Sequence, residues 1–79
     1  MFRMTIDDVM AIGNNISFAG SCENKNEFKP RLTDSSGNVY ETYMPLGVSL
    51  VLDDSRIMLA MKGEYDIKTL KGLSLIAAD

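Results

Sequence analysis

Over residues 16–22 the side chains alternate: Ile16, Phe18, Gly20 and Cys22 fall on one side of an extended backbone, Ser17, Ala19 and Ser21 on the other. That pattern is a half-buried strand. The opening residues alternate in the same way, Phe2, Met4 and Ile6 against Arg3 and Thr5, until Asp7-Asp8 interrupts and an apolar run resumes over residues 9–12. Two short extended pieces joined by a bend are expected there. Gly13, Asn14 and Asn15 tolerate positive φ and suit a tight hairpin between residues 9–12 and 16–22.

Further along, the polar residues 23–27 read as a solvated loop, and Phe28, Pro30 and Leu32 alternate with Lys29, Arg31 and Thr33 as a third strand. Pro30 cannot donate a ladder hydrogen bond, which implies an edge or a bulge. The run Asp34-Ser35-Ser36-Gly37-Asn38 is the strongest turn signal in the chain, and residues 39–44 follow with β-branched and aromatic side chains, completing a second hairpin. Pro45 and Gly47 separate it from an expected strand over 48–52, closed by a polar turn at Asp53-Asp54-Ser55. Residues 57–61, Ile-Met-Leu-Ala-Met, are apolar on both faces, as in a strand covered on both sides. Residues 64–71 hold the one plausible helical turn, with Ile67 and Leu70 spaced by three, Asp66 at its start and Gly72 as its stop. Leu73, Leu75 and Ala77 then form a final strand. Six or seven short strands with turn signals every eight to twelve residues point to an all-β fold. The expected form is a small closed or nearly closed β-barrel with one short helical turn before the last strand.

With 79 residues, one core and one domain spanning 1–79 are expected, with little room for a deep cavity. The formal charge of −3 has the wrong sign for a domain whose main task is gripping a phosphate backbone. One cysteine, Cys22, excludes an internal disulfide and a thiolate metal site within one chain, and the reducing cytoplasm is the expected compartment. The first ten residues lack the hydrophobic run of a signal peptide, and the longest nearly uncharged stretch, 42–52, falls far short of a membrane span.

The C-terminal third carries a recognisable order: Ile57-Met58-Leu59-Ala60-Met61-Lys62-Gly63, then Asp66-Ile67, then Leu70-Lys71-Gly72-Leu73-Ser74-Leu75-Ile76-Ala77. It resembles the second, β-barrel domain of translational GTPases such as elongation factor Tu. There a buried strand leads to a basic residue and glycine, a turn with Asp-Ile, and a last strand after glycine. The opening residues 2–9 with Ile12, and Phe18 with Gly20, are similar to that domain's first strands. The similar stretches cover about half the chain. The resemblance implies a fold. A nucleotide-binding Gly-x-x-x-x-Gly-Lys-Ser/Thr segment does not occur, so GTPase activity is not expected.

Without histidine, neither a Ser-His-Asp nor a Cys-His arrangement can be built. Asp7-Asp8 and Asp53-Asp54 are neighbours pointing to opposite faces, so neither forms a carboxylate dyad, and no cofactor or metal is expected. Cys22 is expected to be buried and inert, and Met10, Met44, Met58 and Met61 to pack the core. Tyr40 and Tyr43 lie on opposite faces of one strand, which leaves at least one outward. Lys62, Lys68 and Lys71 surround Tyr65, the candidate partner-binding cluster. The leading expectation is a non-enzymatic binding module that docks on a protein, ahead of structured RNA. A barrel that responds to a small molecule and an RNA-binding domain using residues 62–71 are the alternatives.

Overall fold

The alternation at the start of the chain is realised as one long hairpin, seen in a computed structural model that describes residues 1–45 and 55–78. Strand β1 (Arg3–Ile12) pairs antiparallel with β2 (Asn15–Glu23). Gly13, at φ 60°, takes the first position of the two-residue turn, where a side chain would be strained. The expected bend between two pieces is instead a β-bulge within a single strand. Ile6 pairs with Gly20 and Asp8 with Ala19, so Asp7 is the extra residue. Because faces alternate every residue, one extra residue exchanges them. Met4 and Ile6 point into the core before it, Val9 does so after it, and Met10, expected in the core, is 58% exposed.

A 3-10 turn, Lys25–Glu27, follows β2, which itself runs on to Glu23 where a solvated loop was expected. The third strand, β3 (Arg31–Thr33), begins only after Pro30, which lacks the donor needed to extend the ladder. Phe28 leaves the strand to pack edge-on against Phe2, ring centroids 5.4 Å apart. Strand β4 (Val39–Glu41) is shorter than the 39–44 expected: the Pro30 carbonyl still accepts the Thr42 N–H (2.9 Å) and hydroxyl (2.7 Å), but Pro30 has no N–H to return and the ladder ends. The expected strand at 48–52 and the turn residues 53–54 lie outside the described residues.

Strand β5 (Arg56–Lys62) matches the doubly apolar run. Ile57, Leu59 and Met61 are fully buried on one face, and Ala60 on the other is only 6% exposed. Helix α1 (Ile67–Leu70) starts as expected, with Asp66 Oδ1 accepting the N–H of Lys68 at 2.9 Å. A single turn offers the core a stripe wide enough for one residue, so Leu70 is buried and Ile67, expected beside it, is exposed. Strand β6 (Ser74–Ala77) closes the fold with Leu75 inward.

The six antiparallel strands form one sheet in the order β4-β3-β6-β1-β2-β5. Among the described residues the ladder does not close on itself, so the all-β sheet is as expected and full closure is not, with β4 and β5 at its edges. Those edges meet at one bridge, where Tyr43 and Ala60 exchange two backbone hydrogen bonds of 2.8 Å each. Phe18, Leu32, Leu59 and Leu75, each from a different strand, share the core with Leu70. Full burial of such a side chain stabilises the fold by about 1.5–3 kcal/mol. Cys22 is buried, as expected. Among the described residues no helix is long and apolar enough to cross a membrane.

Candidate functional site

Tyr40 and Tyr43 diverge as the strand parity requires. Tyr40 turns inward and is 8% exposed, its hydroxyl donating to Asp34 Oδ2 at 2.8 Å. Tyr43, fixed by its bridge to Ala60, is 44% exposed on the outer side of the sheet. Residues directly opposite on paired strands share a face, and Lys62 lies two residues beyond Ala60, so Tyr43, Ala60 and Lys62 all face outward together. Tyr65 packs its ring on Tyr40, centroids 6.0 Å apart and tilted by 50°, and leaves its other side to solvent.

These placements produce two adjacent depressions. One, of about 410 Å³, is lined by Val39, Glu41, Thr42, Tyr43, Lys62 and Tyr65. The other, of about 240 Å³, is lined by Ile12, Asn15, Ile16, Ser17, Tyr43, Pro45 and Ala60. Tyr43 stands between them as a common wall. Four of the exposed large apolar side chains, Ile12, Val39, Tyr43 and Tyr65, border this pair. Roomier hollows beside Asn24 and Met44 and beside Phe2 and Phe28 are bordered by only one such residue, Met1.

The lysine cluster is divided by the fold. Lys62 and Tyr65 line the larger depression; Lys68 and Lys71 do not. Lys68 sits in the first turn of α1, and Lys71 caps that helix near Asp7, whose carboxylate it helps to keep ionised. Asp7 is held below the ordinary carboxylate range chiefly by Arg56, whose guanidinium donates to both carboxylate oxygens at 2.9 Å. The sequence puts at least one of Tyr40 and Tyr43 outward, and that one is Tyr43; it does not single out Val39, Ile12 or Pro45. Val39 was detectable from its parity: it lies on the face opposite Tyr40.

Asn15 adds an unresolved polarity to the smaller depression. Its Oδ1 is, among the described residues, the buried side-chain polar atom without a hydrogen-bond partner. The larger depression brings the phenols of Tyr43 and Tyr65, the Lys62 ammonium and the Glu41 carboxylate together beside Val39, a combination suited to recognition. Among the described residues, no three histidine, cysteine or acidic side chains come together to hold a metal ion. No family model matches the chain, and neither a curated protein nor a solved structure matches it.

Proposed function

We propose that this chain is a non-enzymatic binding module of the translation-factor β-barrel type, a sheet rolled to near closure that docks on a protein through Ile12, Val39, Tyr43 and Tyr65. The carrying observation is that these four exposed apolar side chains border two depressions sharing Tyr43. Tyrosines offer large, stiff contact area with a polar tip, the composition favoured at the centre of protein interfaces. The barrel reading is supported by the meeting of the sheet's two edges at Tyr43 and Ala60. A protein is favoured over RNA because, among the described residues, Lys62 is the only cation lining the depressions, Glu41 shares its cleft, and the chain carries a formal charge of −3. The single cysteine, Cys22, is buried, which suits a reducing cytoplasm.

Site-specific photocrosslinking in living cells tests this reading. A benzophenone side chain placed at Tyr43 or Tyr65 should trap one discrete protein, and the same group at exposed Ser21 should not. Val39→Glu should abolish the adduct. A nuclease-sensitive adduct, or none specific to positions 43 and 65, overturns the proposal.

A further inference from the structure

We infer that the outer edge of β1 beyond its bulge is a pairing edge through which two copies of this chain associate, antiparallel, about a two-fold axis at Met10. Strand β6 accompanies β1 only over Arg3, Met4 and Thr5. Ile6 then receives the N–H of Gly72 at 2.8 Å and donates to the Leu73 carbonyl at 2.9 Å, and the neighbouring chain turns away. Residues 8–12 keep β2 on one side. On the other side, among the described residues, no backbone hydrogen bond reaches them.

Which groups are left over follows from the parity of β2. The Asn14 carbonyl accepts from Gly63 and the Cys22 N–H donates to Ser55, both at 2.7 Å, so the even-numbered residues of β2 face β5. Its odd residues Asn15, Ser17 and Ala19 therefore face β1, opposite Ile12, Met10 and Asp8. Val9 and Ala11 consequently direct their N–H and C=O groups outward. Two donors and two acceptors, two residues apart, form a template that another extended strand can pair with.

A second copy fits that template with matching side chains. In an antiparallel pair centred on Met10, Val9 of each copy exchanges both hydrogen bonds with Ala11 of the other, four bonds in all. Met10 then faces its own counterpart in the non-hydrogen-bonded position, where side chains come closest. Met10 and Ile12, each 58% exposed in the single chain, are covered by the same operation. Acid does not meet acid: Asp8 falls opposite Ile12 of the other copy, and Asp7 is already held by Arg56. The symmetry is that of an isologous dimer. Five residues span only about 17 Å, and such a contact falls short of the ~1,000 Å² of a stable interface. The association is accordingly weak and reversible, and added salt strengthens it by screening the two net negative charges.

Sedimentation of the full chain over a concentration series up to about 1 mM reads this directly. The unmodified chain should shift from monomer to dimer as concentration rises. Chemical synthesis with N-methylalanine at position 11 removes one outward donor while leaving the ladder to β2 intact. Met10→Lys places like charges at the axis on an already exposed site. Both variants, with an unaltered circular dichroism spectrum, should remain monomers throughout. A native chain that stays monomeric overturns the inference, and so does a dimer that persists in a folded N-methyl variant. The pairing edge shares Ile12 with the docking surface, but neither change touches Tyr43 or Tyr65, so crosslinking there at concentrations where the chain is monomeric reports separately on the docking surface.

Discussion

The Tyr40 hydroxyl donates to Asp34 Oδ2 at 2.8 Å, across the hairpin that joins β3 to β4. The same carboxylate accepts the backbone N–H groups of Ser36 (2.9 Å) and Asn38 (3.1 Å) and the Asn38 side-chain amide (3.1 Å). The donation from Tyr40 and those from Asn38 hold Asp34 below its ordinary range. Burial first, and then the Asp34 acceptor, push the Tyr40 phenol up to about 12.

Alkaline stability follows from that pair. Folded Tyr40 keeps its proton up to about 12, whereas the unfolded chain releases it near pH 10. The contribution is full below pH ~10 and is lost as pH rises towards 12. Urea unfolding across a pH series should show this fall, and Tyr40→Phe should flatten it. On the acid side the sign reverses. Asp34 and Asp7 are both lowered, so their contribution is full above pH ~4 and fades as pH drops below it. An alkaline limb identical in Tyr40→Phe would refute the assignment.

The bulge predicts unequal costs for two methionines on one strand. Met4 is 1% exposed and Met10 58%. Met4→Ala should lose about 2–5 kcal/mol through the cavity left behind. Met10→Ala should stay within about 0.5 kcal/mol of the native chain. Comparable losses in denaturant titrations would mean that the face exchange at Asp7 is wrong.

Gly20 lies on β2 opposite Ile6, next to the bulge in β1. A Cβ there would overlap the carbonyl oxygen of Thr5, a backbone atom fixed by its own strand. Gly20→Ala should therefore destabilise the fold by about 1–3 kcal/mol, the range for overpacking. A thermal melt unchanged by the substitution would contradict that backbone contact.

Asn15 offers the opposite direction. Its buried Oδ1 lacks a partner among the described residues, and residue 15 lies in a strand, where valine is favoured. Asn15→Val should raise stability by about 1 kcal/mol, by removing a polar atom that burial leaves unsatisfied. A fall in the urea midpoint would show that the amide is satisfied in solution.

Much of the strand pattern was legible because the face is written residue by residue: Ile16, Phe18 and Cys22 alternate in sequence and are buried in the fold. Asp7-Asp8 was misread as a break because a polar doublet in an apolar run looks the same whether the strand ends or bulges. What resolves it is the pairing with Gly20 and Ala19, and that is a property of β2. The candidate site was half legible. Lys62 and Tyr65 stand near each other in the chain and line one cleft, but its other wall, Val39, Thr42 and Tyr43, arrives through a pairing with β5 that local sequence does not encode. Lys68 and Lys71, close in sequence, are carried away by α1.

A single surplus residue at position 7 sets which side of the following arm meets water. Deleting Asp7 would turn Met10 and Ile12 towards the interior and send Val9 out, so a one-residue length change there inverts the arm's polarity. Substitutions at the same place leave its sense untouched. The hairpin tip at Gly13 and Asn14 obeys the opposite rule: lengthening both strands equally preserves every facing relation. Drift in chain length is therefore tolerated at the tip and forbidden at the kink.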